Sequence, residues 1–349
     1  MSDDGEERFR PATADDVARL AGVSRSAVSR TFTPGASVAP ATREKVREAA
    51  EQLGYRVNFL ARSLSMQRTK LVAMVVSDLD HSLRALLVDR LARGLVARDF
   101  RPFLLPWSTG DDISHLTDMM LHYNVSGAIV TSDTPPKAIA AECMRHGVPL
   151  VLVEKATIGG RVASVGHDHA KAGRLAAEEL YRIGCRKIAY AGQHRPSYSI
   201  GTRKKAFDAA CAEFGITIAG RYYGARQNYA GGTESATAFL SASPSVDGIY
   251  CANDFLALGF MDGVRKQSGA RFPEDFSLVA CDDIPEAAWA SYDMTTVRQN
   301  PDRVAEEALE ALVGRMRSDA VAPHVATIDV ALVKRGTTAG RQQQQEEQA

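Results

Sequence analysis

The chain has 349 residues, of which 45% are hydrophobic and 24% charged, an ordinary composition for a globular protein of two or three domains. The formal net charge is zero, but residues 8–68 carry 11 Lys/Arg against 5 Asp/Glu. A basic front segment on a neutral chain favours a polyanionic partner for that segment. The other interpretation of the charge is a solvated surface without a partner.

Neither a membrane span nor a secretory leader is indicated by the sequence. No run of about 18 apolar residues occurs, and the first residues, MSDDGEERFRPA, lack the apolar region of a signal peptide. The five cysteines are scattered and form no C-x-x-C pair, which predicts reduced, mostly buried thiols. We therefore expect a cytoplasmic protein with no membrane partner.

The first predicted elements are two short helices in TADDVARLAGVSRSAVSRTF, residues 13–32. Thr13 followed by Asp16 has the spacing of a capping box, which begins a helix. Gly22 tolerates the positive φ that ends a helix, and Ser24 can cap the next one. Two short helices joined by a tight glycine turn are typical of a helix-turn-helix unit.

The second predicted helix has two faces of different character. Ala27 and Val28 can pack inward, whereas the polar and basic residues that can point outward are Arg25, Ser26, Ser29 and Arg30. Arginine can reach guanine edges in a major groove, and serine can bond bases or phosphates. A third amphipathic helix follows in TREKVREAAEQLGY and stops at Gly54. The pattern predicts DNA binding, with a three-helix cap that has no DNA role as the alternative.

After residue 70 the pattern changes to short apolar runs that alternate with helical stretches. The runs are LVAMVVSD, RPFLLPW, GAIVTSD, PLVLVEK, KIAYAGQ, GIYCAND and SLVACDD. Unbroken apolar runs between helices are typical of parallel strands in βαβ units, and about ten runs indicate two sheets. Neither G-x-G-x-x-G nor G-x-x-x-x-G-K-[ST] is present, so no dinucleotide or P-loop site is indicated.

Acidic and amide side chains follow several of these predicted strands. They are Asp78, Asp80, Glu154, Asp168, Asn253, Asp254, Asp282 and Asp283. In open parallel sheets ligands bind beyond the carboxyl ends of the strands, and carboxylates accept hydrogen bonds from hydroxyl-rich ligands. The alternative for each residue alone is a helix N-cap.

The segments DVARLAGVSRSAVSR and VAPATREKVREAAEQLGYRVNFLARSL resemble the headpiece of the lac repressor/gal repressor family of bacterial regulators. The resemblance has no gaps over residues 13–64 and continues more loosely to about residue 336. It implies base-reading roles for Arg25, Ser26 and Arg30. The resemblance assigns the following residues to DNA contacts: Ser24, Arg25, Ser26, Ser29, Arg30 and, in a hinge helix with a minor-groove wedge at its leucine, Asn58, Ala61 and Leu64.

One departure in this headpiece concerns the third helix. Relatives usually begin it with a serine cap, and Ala39 and Pro40 occupy that place here. Proline suits a first helical turn. We therefore expect a weaker cap and intact DNA binding.

The remainder resembles the two-lobed, periplasmic-binding-protein-like (type I) core of the same family, with an effector cleft between the lobes. The matching motifs are SIGTRKKAF, with alanine at Ala206 where relatives have glycine, CANDFLALG and SLVACDDIPEAAW. The resemblance and the strand-end positions together predict these cleft residues: Asp78, Glu154, His167, Asp168, Arg203, Tyr229, Asn253 and Asp282. Tyr229 lies where the alignment slips by one residue. Asp78, Asp80, His81 and Leu83 replace an Asn-Pro-aromatic stretch of relatives, which indicates an unusual ligand.

The predicted fold is an all-α helix-turn-helix headpiece joined to an α/β core of two lobes with parallel sheets. The chain is expected to cross between lobes near residues 165–168, near 297–299 and near Val325. The predicted segments are a disordered N-terminus (1–12), the helix-turn-helix domain (13–57), a hinge helix and linker (58–68), the core (69–340; lobe 1 about 69–166 and 298–325, lobe 2 about 167–297 and 326–340) and a disordered tail (341–349).

The predicted function is transcriptional repression by a homodimer on a pseudo-palindromic operator in double-stranded DNA, controlled by a small effector. The cleft residues allow a sugar, a sugar acid or a nucleoside, and no cofactor is indicated. An enzyme is disfavoured because no nucleophile motif is present. A metal on His167 and His169 is disfavoured because the usual partner ligands are missing nearby. A secreted solute-binding protein fits the lobes but neither the N-terminus nor the headpiece.

Overall fold

The computed structural model describes residues 10–33, 35–56, 69–108, 110–131, 136–159, 162–317 and 324–339. The chain divides into two compact units, Met1–Thr69 and Lys70–Ala349. No helix in these ranges is long and apolar enough to cross a membrane. All five cysteines are free and buried, as predicted.

The first unit is built on three short helices, as the sequence predicts. They are α1 (Ala14–Ala21), α2 (Arg25–Thr31) and α3 (Pro40–Gln52). Each helix contributes one fully buried valine to a common core, namely Val17, Val28 and Val46. Because a helix of 7 or 8 residues is marginal alone in water, this shared core stabilises the unit more than helix propensity does.

The caps of these helices follow from the local sequence. Thr13 and Asp16 form the predicted reciprocal capping box, and Gly22 ends α1 in the left-handed region with φ of 62°. Ser24 Oγ then accepts a hydrogen bond from Ala27 N at 3.3 Å and begins α2. By contrast, Ala39 gives α3 no side-chain cap, the departure noted in the sequence.

The second unit contains twelve described strands and eight described α-helices. The strands are β1 (Leu71–Val76), β2 (Arg101–Pro106), β3 (Gly127–Val130), β4 (Leu150–Val153), β5 (Ala163–His167), β6 (Lys187–Gln193), β7 (Thr217–Gly224), β8 (Gly248–Cys251), β9 (Ser277–Asp282), β10 (Thr295–Arg298), β11 (His324–Ile328) and β12 (Ala331–Val333). The helices are α4 (Ser82–Ala97), α5 (Ile113–His122), α6 (Pro136–Arg145), α7 (His169–Arg182), α8 (Tyr198–Glu213), α9 (Tyr229–Ala242), α10 (Asp254–Ser268) and α11 (Pro301–Arg317).

The strands form two six-stranded sheets, which confirms the predicted fold class. The first sheet has the order β11-β5-β4-β3-β1-β2 and is parallel throughout. The second has the order β12-β10-β9-β8-β6-β7, and only the short edge strand β12 is antiparallel. We call the parts of the unit built on these sheets lobe 1 and lobe 2.

Helices cover both faces of each sheet, which explains the unbroken apolar runs. In β1, Val72, Met74 and Val76 pack in the core that contains residues of α4 and α11. Ala73 and Val75 point the other way, into the core formed with α5 and α6. Since side chains alternate along a strand, a strand buried on both faces must be apolar at every position.

The chain crosses between the sheets three times. The first crossing follows β5 and the second follows β10, near the predicted positions. The third lies later than expected, because Val325 is inside β11 and pairs with Ser164 of β5. The chain therefore remains in the first sheet until Ile328 and joins the second at Ala331.

Candidate functional site

The predicted DNA-reading residues lie on the outer face of α2. Ser24, Arg25, Ser26, Ser29 and Arg30 are all exposed, while Val28 on the opposite face is fully buried. The helix therefore offers short polar and basic side chains on a surface that its own unit does not use. The remaining predicted DNA contacts, Asn58, Ala61 and Leu64, lie outside the described residues.

The two arginines of this face make only weak contacts in the free unit. Arg30 Nε donates to Ser26 O at 3.3 Å, and Arg25 Nε lies 3.7 Å from Asp15 Oδ1. Exposed ion pairs contribute about 0–1 kcal/mol to stability. Both guanidinium groups can therefore exchange these contacts for a stronger acceptor at little cost.

The second unit contains a polar cleft with a cavity of about 550 Å³. Its lining comes from the carboxyl ends of strands in both sheets. Six of the eight predicted cleft residues line it: Asp78, Glu154, His167, Arg203, Asn253 and Asp282. This placement follows the rule that open parallel sheets bind ligands at their carboxyl edges.

Backbone strain is concentrated at the acidic residues of this cleft. Asp78, Glu154 and Asp282 have φ values of 49°, 59° and 141°, all in the region that favours glycine. Strained conformations of this kind cost on the order of 1–3 kcal/mol each and are frequent at ligand sites.

Arg203 and Asp282 form the buried ionic centre of the cleft. Arg203 Nη1 donates to Asp282 Oδ1 at 3.0 Å and to Ala252 O at 3.3 Å. Gln299 Nε2 also donates to Asp282 Oδ1. Because the two charged side chains are only 5% and 3% exposed, removal of either would leave the other as an unpaired buried charge, which is strongly destabilising.

Glu154 accepts hydrogen bonds from two histidines. Its Oε1 accepts from His167 Nδ1 at 2.7 Å, and its Oε2 accepts from His169 Nε2 at 2.5 Å. The second nitrogen of each imidazole is also used: His167 Nε2 accepts from Asn300 N at 2.8 Å, and His169 Nδ1 from Arg203 Nε at 3.4 Å. An imidazole that donates with one nitrogen and accepts with the other must be neutral. Both tautomers are therefore fixed.

The pKa values agree with this arrangement. Burial would raise the pKa of Glu154, but hydrogen bonds from His167 and His169 outweigh it and hold that pKa below its usual value of 4.5. Burial lowers the pKa of His169 from 6.5, despite the opposing effect of Glu154. Glu154 is therefore ionised near neutral pH and accepts hydrogen bonds from both imidazoles.

Three adjacent residues at the start of α4, in lobe 1, contact lobe 2 across the cleft. His81 Nε2 lies 3.3 Å from Asn253 Nδ2 and 3.5 Å from Asp282 Oδ2. Ser82 Oγ donates to Glu286 Oε1 at 3.1 Å, and Leu83 packs against the core of lobe 2. The stretch that departs from the Asn-Pro-aromatic pattern of relatives is therefore an interlobe contact.

The two remaining predicted cleft residues do not line this cavity. Asp168 caps α7 by accepting from Lys171 N at 2.8 Å, and it borders an adjacent second cavity of about 200 Å³. Tyr229 is 41% exposed, and its hydroxyl donates to Asp262 Oδ2 at 2.7 Å. Tyr229 misses the cavity because the alignment is shifted at this point: the cavity is lined by the residues just before Tyr229, at the N-terminus of α9.

Several lining residues were missed in the sequence. They are Ser77, Arg84, Trp107, Ser108, Lys155, Gln193, Ser197, Ser199, Arg226, Gln227, Asn228, Phe255 and Gln299. His81 and Leu83 also line the cavity but were noted only as departures from relatives, and Asp80 was noted as a strand-end residue but not included among the predicted cleft residues. Gln299 directly follows β10, so the strand-end rule could have found it. Trp107 and Phe255 carried no such polar signal.

A three-helix unit with an exposed basic recognition helix, followed by a two-lobed α/β core with a polar cleft, defines the class of DNA-binding regulators with a periplasmic-binding-protein-like core. Comparisons with known proteins agree. Residues 13–58 match the family described as bacterial regulatory proteins, lacI family, and residues 177–338 match the periplasmic binding protein-like domain.

Relatives match over nearly the whole chain. The HTH-type transcriptional regulator CelR of Thermobifida fusca is 32% identical over 91% of this chain and 95% of its own length. The HTH-type transcriptional repressor PurR of Vibrio vulnificus is 28% identical over 88% and 92%. The chain belongs to the lacI family of bacterial regulatory proteins. It is a DNA-binding transcriptional regulator and not an enzyme.

Solved structures show the same architecture. A CelR–cellobiose complex matches with a TM-score of 0.70 and 28% identity, over 93% of this chain and 99% of that one. A lac repressor dimer bound to operator and an anti-inducer matches with a TM-score of 0.85 and 24% identity, over 95% and 100%. The second similarity is one of fold.

Proposed function

We propose that the protein is a homodimeric repressor that binds a pseudo-palindromic operator. A small, uncharged polyhydroxylated effector either releases it from the operator or keeps it bound there. Its operational segments are the helix-turn-helix domain of residues 13–57, the hinge of 58–68 and the core of 69–340. No cofactor is required. Because the target is chromosomal DNA, the protein acts in the cytoplasm, at the nucleoid when bound.

The DNA-binding half of the proposal rests on α2. Its exposed polar face provides Arg25, Ser26 and Arg30 for base edges, with Ser24 and Ser29 beside them for phosphates or bases. A two-fold dimer presents two such helices, which requires an inverted-repeat site. Asn58, Ala61 and Leu64 would order as a hinge helix and widen the minor groove at the operator centre.

The observation that carries the effector half is the balanced, hydrogen-bonding lining of the cleft. Four carboxylates face it from Asp78, Asp80, Glu154 and Asp282, against four cations from Arg84, Lys155, Arg203 and Arg226. Two acid–base pairs, Asp78–Arg84 and Asp282–Arg203, already neutralise each other. A lining without excess charge favours a neutral ligand whose hydroxyls both donate and accept.

A sugar or small oligosaccharide fits this description better than a sugar acid. Phe255 and Trp107 add apolar surface to the polar lining, as the faces of a pyranose ring require. The relative CelR, whose structure contains cellobiose, supports the same class of ligand. A nucleoside is the second candidate, because the same aromatic rings could stack on a base.

The proposed regulation uses the contacts between lobes. An effector that binds one lobe arrangement better than the other shifts the population of that arrangement. The usual coupling between effector and operator sites is ~1–3 kcal/mol. In the proposed mechanism the movement of the lobes changes the distance between the two hinges of the dimer. This distance then determines whether the hinge helices are folded on the DNA.

Two matched variants test the proposal. Purified full-length protein should enrich inverted repeats from random duplexes, and Arg30→Ala should weaken the enrichment but leave effector binding unchanged. Asp282→Asn should abolish effector binding, measured as a thermal shift with cellobiose, ribose, glucose and adenosine, but leave operator binding. Failure of wild type to prefer any inverted repeat, with or without these compounds, would refute the proposal.

A further inference from the structure

The orientation of the Asn253 side chain is fixed by its role as the N-cap of α10. Its Oδ1 accepts a hydrogen bond from Leu256 N at 2.9 Å. The amide nitrogen therefore points the other way, where Nδ2 lies 3.3 Å from both Gln227 O and His81 Nε2. An amide NH2 group can only donate, and its two hydrogens match these two positions.

This amide determines which nitrogen of His81 carries the proton. Since Asn253 Nδ2 donates, His81 Nε2 must accept and has no hydrogen of its own. Burial lowers the pKa of His81 from 6.5, although Asp282 opposes the effect, so the ring is neutral near neutral pH. The proton is therefore on Nδ1. Asp282 Oδ2, at 3.5 Å from Nε2, is too far away to reverse this assignment.

The protonated nitrogen is left without a partner. His81 is 8% exposed and lines the cleft cavity, and its Nδ1 is buried with no hydrogen bond to any described residue. A buried N–H group without an acceptor is unfavourable and rare in folded proteins. Phe255 packs edge-on against the ring at 5.6 Å. An acceptor for Nδ1 would have to come from the cleft and displace the atoms that cover this nitrogen in the free protein.

We propose that the Nδ1–H of His81 is a preformed hydrogen-bond donor that selects an effector with a neutral acceptor oxygen, a hydroxyl or ring oxygen. The inference rests on the proposed function and deepens it. The carboxylates of Asp282 and Asp80 and the guanidinium groups of Arg84 and Arg203 all act electrostatically on His81. With two charges of each sign, no net charge attracts an anion to this position. An oxygen on Nδ1–H also makes Nε2 a stronger acceptor for Asn253.

This coupling gives the donor a regulatory consequence. His81 begins α4 in lobe 1, whereas Asn253 begins α10 in lobe 2. A ligand oxygen that strengthens the His81–Asn253 hydrogen bond therefore strengthens contact between lobes without touching both. Ligands lacking an acceptor at this position would occupy the cleft without this effect on the lobes.

The free protein tests the tautomer directly. Long-range ¹H–¹⁵N correlation spectra of ¹⁵N-histidine-labelled full-length protein at pH 7.5 (about one unit above the usual histidine pKa) distinguish the two tautomers, and the signal lost in His81→Asn identifies the residue. We expect the Nδ1–H form in wild type. Asn253→Asp keeps the cap but places an acceptor against Nε2, so Nε2 should become protonated. An Nε2–H tautomer in wild type would overturn the inference.

Two substitutions then test whether the donor reads a ligand. His81→Asn keeps an amide N–H close to the Nδ1 position, whereas His81→Gln places its amide near the Nε2 position. For whichever of cellobiose, ribose and glucose binds wild type, His81→Gln should weaken binding roughly tenfold and His81→Asn by less than about threefold, the scale of one hydrogen bond.

The outcomes separate this inference from the proposed function. Equal affinity of His81→Gln and wild type, with both folded by their melting temperatures, would show that Nδ1 does not read the ligand. If no sugar binds wild type, the proposed effector class fails. The tautomer measurement still decides whether the cleft contains the preformed donor.

Discussion

Replacement of Glu154 by glutamine tests the fixed-tautomer network at the first lobe crossing. Both carboxylate oxygens accept N–H groups, from His167 and from His169. Glutamine keeps one oxygen and turns the other into an N–H donor. Neither imidazole can shift its proton to accommodate this, because Asn300 N and Arg203 Nε already donate to their other nitrogens. One donor must therefore face another.

The expected loss follows from these contacts. Removing one hydrogen bond to a charged group costs about 1.5–3 kcal/mol, and leaving a buried donor unpaired costs about 1–3 kcal/mol. The pKa of Glu154 lies below its usual value, so the fold stabilises the ionised form of this residue. Removal of its charge therefore gives no compensating gain in stability. We expect Glu154→Gln to lower the free energy of unfolding by about 2.5–6 kcal/mol, which is the sum of these two contributions.

The assay can be restricted to the unit that contains the network. Both tryptophans of the chain, Trp107 and Trp289, lie in that unit, so their fluorescence during urea unfolding of full-length protein does not report on the headpiece. Glu178→Gln is the matched control, because its exposed ion pair with Arg174 at 2.8 Å should contribute about 0–1 kcal/mol.

A second substitution distinguishes the tautomer mechanism from a general packing defect. In Glu154→Gln the added change His169→Gln replaces a locked imidazole with an amide that can turn and accept. The double variant should therefore be more stable than the sum of the two single changes predicts, by ~1 kcal/mol or more. A Glu154→Gln loss under about 1 kcal/mol, or strict additivity, would refute the fixed tautomers.

Three further outcomes are expected. Arg30→Ala should cost about 1–3 kcal/mol of specific operator binding in a competition assay, whereas Arg47→Ala, at an exposed position, should leave discrimination between DNA sequences unchanged. If Arg30→Ala discriminates between sequences as well as wild type, Arg30 does not read a base. Ala39→Ser should supply the missing cap of α3 and stabilise the headpiece by ~1 kcal/mol in a thermal unfolding measurement by circular dichroism, with Ala41→Ser, inside the helix, as a control that gains nothing. The free energy of unfolding of the core should fall as pH drops below 6.5, because burial lowers the pKa of His81 and His169 and the unfolded state therefore binds more protons. His169→Gln should reduce the dependence of this free energy on pH, measured by urea unfolding at pH 7, 6 and 5 (about the range over which histidine titrates). An unchanged dependence on pH would show that His169 does not titrate as described.

Local rules were sufficient for the first unit and for the core strands. The capping box at Thr13, the glycine turn at Gly22 and the cap at Ser24 depend on residues only a few positions apart, so the sequence contains all the information needed. The buried strands β1, β3, β4, β6, β8 and β9 were likewise visible as unbroken apolar runs, whereas the largely buried β5 and β10 were not among those runs. β7 was less visible, because it is an edge strand with alternating exposure and glycines at Gly220 and Gly224.

The cleft was predicted as a set of positions but not as a set of contacts. Strand ends located Asp282 and Glu154, since the carboxyl edges of parallel strands meet. Tyr229 could not be placed, because a shift of one residue at the start of a helix turns a side chain by about 100°. His81 was noticed only as a departure from relatives, and its bond to Asn253 joins residues 172 positions apart.

Hydrogen-bond direction is the part of the site that a sequence cannot express, and here it decides the chemistry. Asn253 and Glu154 are both strand-end residues, yet one donates to a histidine and the other accepts from two. The amide direction follows from its cap on Leu256, and the imidazole directions follow from Asn300 and Arg203. Each polarity is therefore set by a donor or acceptor of the protein itself, so the cleft is polarised before any ligand enters. Ligand selection by such a cleft depends on matching fixed donors, and substitutions that keep polarity should be tolerated better than substitutions that keep shape.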